Sequence, residues 1–254
     1  MSGRWDQYCG PPPVPAELMD RWNVDPPLIG AMVAMAAAHA LLLHRSGEWP
    51  QKRWPFGTTW LLLAVLFASP FCALSSALFS VRVAHHVLLI AAAAPLAVIA
   101  LPSRWRDSAI GATALATVLS VHIVVLWGWH APSLYASALS NPAIFWTMQL
   151  SLLGTALLFW LAVLSPRVPL FSSLTALLAG TMQMGLLGAI ITFAPRPLYA
   201  PHFGSTEPFG LNALEDQQLA GLIMWVPALL PYLAAALVLL GLRLANSALA
   251  SRTQ

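Results

Sequence analysis

The stretch PAIFWTMQLSLLGTALLFWLAVL, residues 142–164, runs for 23 positions without a charged side chain. As a helix it would reach about 34 Å, enough to cross the roughly 30 Å hydrocarbon core of a bilayer. Six further apolar stretches stand around it, at 28–44, 57–79, 83–101, 108–129, 170–194 and 218–242. Only 8% of the residues are charged, and the mean hydropathy is +0.74. In lipid, each backbone N–H and C=O must be satisfied within its own segment, which favours helices. The expected fold is therefore all-α: a polytopic membrane protein built as a seven-transmembrane-helix bundle, embedded in a lipid bilayer. A polar, proline-rich tail (1–27) precedes the membrane domain (28–243), and a short tail (244–254) follows it.

Loop charge sets the expected orientation. Alternate connections collect Arg45, Lys52, Arg53, Arg104, Arg106, Arg167, Arg243 and Arg252 on one side, against Arg4, Arg21, Arg82 and Arg196 on the other. The basic side is the cytoplasmic one by the positive-inside rule, so the N-terminus is expected outside and the C-terminus inside. The longest break, Pro195 to Gln217, then lies outside and is the one connection with room for a functional loop. Gly180, Gly185 and Gly188 are expected to let helices approach closely. Pro70, Pro95 and Pro227 are expected to kink their helices.

Several function classes fall away. A net charge of +3 with basic residues scattered at segment ends gives no nucleic-acid surface. No glycine-rich phosphate loop is present. Cys9 and Cys72 form no CxxC pair, so there is no thiolate zinc motif and little basis for a disulfide framework. With Pro11, Pro12 and Pro13 and no short apolar core, the N-terminus is not expected to be a signal peptide. Nothing has the order of a covalent catalytic triad, and the mid-membrane charges of a transporter path are missing. The chain is not expected to be an enzyme.

The polar residues that remain crowd toward the outer ends of the segments. His85 and His86 open the third, His130 closes the fourth, and His202 lies in the long loop. Cys72, Met148, Gln149 and Met224 stand at the same level. Imidazole with thioether is the ligand set expected for copper, especially Cu(I), so His85, His86, His130, Met148 and His202 are the candidate ligands. The plain alternative is an interfacial histidine with one hydrogen bond and methionine as apolar filler. Adjacent His85 and His86 diverge by about 100° on a helix, and His122 lies about 12 Å along the axis from His130, so not all of these reach one point. His39 and His44 belong to the other half of the first segment and a separate, structural role. Asp216, with Gln217 and Gln218, is expected either to favour the start of the last helix or to hydrogen-bond an outer histidine and set its tautomer. Trp127, Trp129, Trp146, Trp225 and Tyr199 fit an outer aromatic belt.

Three stretches carry a resemblance: Leu126-Trp-Gly-Trp-His-Ala-Pro-Ser-Leu-Tyr135, Leu187-Gly-Ala-Ile-Ile-Thr-Phe-Ala-Pro-Arg-Pro-Leu-Tyr199 and Leu214-Glu-Asp-Gln-Gln-Leu-Ala-Gly-Leu-Ile-Met-Trp-Val-Pro227. With His85-His86 and Ala94-Pro95-Leu96, they resemble the CtaG family of cytochrome c oxidase assembly factors, associated with caa-type oxidases. The resemblance implies a multi-pass protein of the bacterial inner membrane that helps mature a haem–copper oxidase by supplying copper to subunit I, without catalytic turnover. It also implies subunit I as partner, with periplasmic copper chaperones as further partners. His86, His130 and Asp216 match the family's polar motifs. Two positions depart from it. Arg82 stands where the family tends to have a histidine four residues before His86, and no histidine occurs near Met148-Gln149. A metal site is thus expected to be thinner, or displaced toward Met148 and His202, with Arg82, Asp216 and Gln217 around it. Two alternatives to an assembly factor stay open on the sequence: a metal-free structural or docking subunit of a respiratory oxidase, and a copper transporter.

Overall fold

The computed structural model describes residues 7–108 and 112–252; Arg4, Asp6 and residues 109–111 of the fourth apolar stretch lie outside the described residues. The helices are α1 (Pro26–Arg45), α2 (Trp49–Phe67), α3 (Pro70–Ala77), α4 (Phe79–Ala100), α5 (Ser103–Ser108), α6 (Ala112–His130), α7 (Pro132–Ser140), α8 (Pro142–Val163), α9 (Leu170–Thr192), α10 (Ala213–Trp225) and α11 (Leu229–Arg252). Among the described residues there is no strand. Among the described residues six helical stretches are long and apolar enough to cross a membrane, α10 and α11 counting as one, or seven if the bent pair α2–α3 is one span. The charge-free stretch 142–164 forms α8, one of these spans.

Proline sets the breaks. The second stretch is not one straight span: α2 and α3 meet at 47°, because Pro70 starts a new helix whose N-cap, Ser69, accepts the Phe71 N–H at 3.2 Å. Pro227 falls in the gap between α10 and α11. Within α4 a π-turn, Leu89–Ala93, precedes Pro95, and the Trp160 indole donates to the Ile90 carbonyl at 2.8 Å. Ala131-Pro132-Ser133, expected as a simple break, opens the nine-residue α7, since proline suits the first turn of a helix.

Helix α4 is the axis of the bundle. In its most apolar stretch 56% of residues are buried, against 17% in α1. Charged side chains from distant parts of the chain hold both of its ends. At its start Asp216 accepts the Phe79 N–H at 2.6 Å and the Ser80 N–H at 3.2 Å. At its close Lys52 donates to the carbonyls of Ile99, at 3.0 Å, and Leu101. A carboxylate at the N-terminus and an ammonium at the C-terminus complement the helix dipole. Glu48, 3.6 Å from Lys52, accepts the Ser103 N–H at 3.0 Å and so anchors α5 to the same end.

Three sequence expectations are corrected here. Arg82 is not in a connecting loop. Extended Leu78 (φ −117°, ψ 127°) lets α4 begin at Phe79, which places Arg82 one turn inside the helix and buries it. Tyr199 is buried rather than in a surface belt, because its ring stacks on Phe79 with centroids 3.7 Å apart. Cys9 and Cys72 form a disulfide. Their sequence spacing concealed it, because the tail folds back over α3 and brings the two together.

Close helix approach occurs at one of the expected glycines. A Cβ on Gly188 would lie 2.8 Å from the Gly221 carbonyl oxygen, and one on Gly221 would lie 2.5 Å from the Gly188 oxygen. Helices α9 and α10 cross backbone to backbone there, and only glycine at both positions permits it.

Candidate functional site

The first turns of α4 carry most of the site. Residues three and four apart share a helix face, so Phe79, Arg82 and His86 point into the bundle, while His85 diverges from His86. His86 faces His130 at the end of α6, with ring centroids 5.6 Å apart at 84°. Gln149 of α8 reaches the same place, its amide 3.4 Å from His86 Nε2. All of these side chains are buried, as is Met148.

The tautomers follow from the partners. A carbonyl only accepts, so His130 must hold its proton on Nδ1 to bond Leu126 O at 2.7 Å. Its Nε2 is then bare, buried and without a partner. His85 donates from Nε2 to Leu66 O at 3.1 Å, which leaves Nδ1 bare and unpartnered as well. With the Gln149 amide donating to Nε2, the His86 proton sits on Nδ1, which lacks a partner, as does Gln149 Oε1; an ion bound at His86 Nε2 would take the place of that amide. Imidazole with one N–H on a backbone carbonyl and the other nitrogen free is the arrangement that metal-ligating histidines adopt.

His202 takes a different part. Its Nδ1–H donates to Ala77 O at 3.2 Å, and its Nε2 accepts from the Tyr135 hydroxyl at 2.7 Å. Burial pushes the His202 pKa down to about 3, so the ring is neutral. Tyr135 stands beside Arg82, and burial raises the Tyr135 phenol above its ordinary value. The long loop is therefore joined to α3 and α7. Tyr199 strengthens this closure by donating to the His130 carbonyl at 2.8 Å.

The sequence-expected residues thus separate into groups. His86, His130 and Gln149 converge, with Met148 next to Gln149 on α8. His85 turns toward α2, where it meets Phe67 edge-on at 5.0 Å. His202 bonds Tyr135 rather than facing the His86–His130 pair. Asp216 bonds no histidine; both its oxygens go to Phe79 and Ser80, because α10 carries it against the start of α4. Its own helix is capped instead by Asn212 and Glu215. Gln217 accepts the Leu198 N–H at 2.6 Å and donates to Ile191 O at 3.2 Å, pinning the long loop. Cys72 is spent in the disulfide. His122 lies apart, bonded to Thr155 at 3.0 Å. His39, bonded to Ala100 O and Trp60, and His44, stacked on Trp49, belong to the opposite end. Among the described residues no three His, Cys, Asp or Glu side chains group to hold a metal ion; a third donor to the histidine pair would have to be Met148, Gln149 or a group brought by a partner.

Tyr135 and the Cys9 tail were missed on the sequence. Tyr135 ends one of the quoted motif stretches, and an aromatic hydroxyl four residues into α7 was the available signal. On the membrane-facing side, a cavity of about 320 Å³ between α1, α2 and α8 is lined by Met32, Trp60, Phe67, Trp146 and Gln149. Gln149 is thus shared between this cavity and His86. The tail forms part of the cavity's wall through Tyr8, which stacks on Phe145 with centroids 5.1 Å apart and donates to Asp25 at 2.6 Å.

Comparison with known families gives one match. The model described as cytochrome c oxidase caa3 assembly factor (Caa3_CtaG) covers residues 33–245. No curated protein and no solved structure matches the chain. The match contains α4, α6, α8 and α10, and with them His86, His130, Gln149 and Asp216. The chain belongs to the CtaG family of cytochrome c oxidase caa3 assembly factors.

Proposed function

We propose that this protein matures a caa3-type oxidase by holding copper at the histidine-rich end of the bundle and passing it to oxidase subunit I. The observation that carries this reading is the His86–His130 pair, with the bare Nε2 of His130 inside it. A metal–nitrogen bond near 2 Å puts an ion about 3 Å from a ring centre, so rings sharing one ion have centres no more than about 6.5 Å apart. The 5.6 Å separation is within that reach. Copper here is cargo, and His86 and His130 hold it, with Met148 as the nearest soft donor. His85 and His202 keep the neighbouring walls in place, and the Gln149 amide occupies His86 Nε2 until the ion takes its place. No bond in the protein is made or broken, which is the behaviour of a carrier and not of an enzyme. Periplasmic copper chaperones would load the same face.

The orientation that suits this role puts the N-terminus and the histidine-rich end outside the bacterial inner membrane, with seven crossings when α2–α3 is one span. The Cys9–Cys72 bond supports it, since disulfides persist in oxidising compartments outside the cytoplasm. The excess of arginine and lysine in the opposite loops points the same way.

The test is the copper content of protein purified from copper-supplied membranes. Copper should accompany the wild type and be lost from both His86→Ala and His130→Ala. In a strain lacking the gene, oxidase should lose copper and activity. Copper-free wild-type protein from a strain whose oxidase is fully loaded would reject the proposal.

A further inference from the structure

Arg82 is a buried cation with no carboxylate paired to it among the described residues. It is 1% exposed, and its Nε and Nη1 have no hydrogen-bond partner. The Phe145 ring lies 5.2 Å from its guanidinium carbon, and Tyr135 is its polar neighbour. The buried acid at this end, Asp216, already has both oxygens on Phe79 and Ser80. Arginine cannot give up its proton, so the charge is permanent. A buried cation of this kind is costly to keep.

Its position gives it something to act on. Arg82 precedes His86 by four residues on α4, and the Cβ atoms of such pairs stand about 6 Å apart on one helix face. Any ion on the His86–His130 pair therefore sits near a fixed positive charge in a poorly polarisable interior. The ligand atoms available, imidazole nitrogen and thioether sulfur, are neutral and offset none of it. Neutral imidazole suits zinc as well as copper, so the ligand set alone does not choose between them.

We infer that Arg82 is a charge filter, which makes the His86–His130 pair accept a soft monovalent ion, Cu(I), and reject divalent ions such as Zn(II). This rests on the copper-holding reading above. The repulsion scales with the ion's charge, so a divalent ion feels it twice. For a guanidinium–ion separation of about 6–10 Å and an effective dielectric near 20, the extra unit of charge shifts relative affinity by about 15- to 100-fold. Arg82 does not ligate the ion. It is a specificity-determining neighbour, and it stands where the family resemblance led to an expectation of histidine.

The test compares Ag(I), a redox-stable stand-in for Cu(I), with Zn(II) on the full-length protein in detergent, by competition with a chromophoric chelator. Wild type should prefer Ag(I). Arg82→Gln should shift the Ag(I):Zn(II) affinity ratio toward zinc by about 15-fold or more, while Arg82→Lys, which keeps the charge, should hold the ratio near wild type. A ratio that Arg82→Gln leaves unchanged, with both ions bound, overturns the filter and leaves the copper reading standing. Wild-type protein that binds zinc as tightly as silver overturns the filter whether or not the variants fold. Binding of neither ion by wild type or Arg82→Gln overturns both.

Discussion

The Asp216 carboxylate accepts the Phe79 N–H at 2.6 Å across 137 positions of sequence, so the start of α4 is finished by a residue from α10. The two first N–H groups of α4 have no other partner in the apolar interior. Asp216→Ala should therefore lower stability by roughly 3 kcal/mol, and Asp216→Asn by roughly 1 kcal/mol, because an amide oxygen still accepts. Thermal unfolding in detergent reads both. Equal losses would mean that the charge and the bonds at this end do not matter as described. Copper retention should fall with Asp216→Ala even though Asp216 touches no histidine.

The α9–α10 crossing separates the glycines by consequence. Gly221→Ala and Gly188→Ala place a methyl against backbone that cannot move aside, and each should cost about 3 kcal/mol. Gly180→Ala meets only side chains, none closer than 3.7 Å. It should be neutral or stabilise by about 0.5 kcal/mol, as alanine favours a helix over glycine. Melting temperatures of the three variants check the order.

Acid should loosen the long loop. His202 is neutral and buried, with its pKa held near 3 against an ordinary 6.5. The unfolded ring takes up a proton below about 6.5, while the folded ring does not until about 3. The contribution of His202 is therefore fully present above pH 6.5 and shrinks as pH falls toward 3. Stability measured between pH 7 and 4 should decline, and the decline should be shallower in His202→Asn. A parallel slope in that variant would assign the effect to other groups.

The disulfide makes its own prediction. In denatured protein a maleimide should label Cys9 and Cys72 only after reduction, since the pair is bonded and buried in the fold. Cys9→Ser should lower stability by about 2–4 kcal/mol. Labelling of unreduced, denatured wild type would overturn the bond.

Much of the architecture was legible because lipid leaves few choices. Length and apolarity located α1, α8 and α9 to within two residues of the structure at each end, and Pro70, Pro95 and Pro227 marked irregular backbone. The divergence of His85 from His86, and the exclusion of His122, followed from helix geometry. What could not be read were contacts set by distant segments. Asp216 looked like a cap for its own helix or a partner for histidine, because nothing local shows that α10 lies against the start of α4. Arg82 looked like loop charge for the same reason: the helix starts at Phe79 only because Asp216 is there to receive its first N–H groups. The Cys9–Cys72 pairing depends on a proline-rich tail turning back, which carries no periodic signal.

That covalent ring also has a mechanical meaning. It spans 63 residues and encloses both α1 and α2. Helix α1 is only lightly embedded in the bundle and borders the cavity that Gln149 shares with His86. The short turn to α2 holds its C-terminal end. The disulfide, through the tail, ties the N-terminal side to α3, so a helix with little buried surface is anchored at both ends.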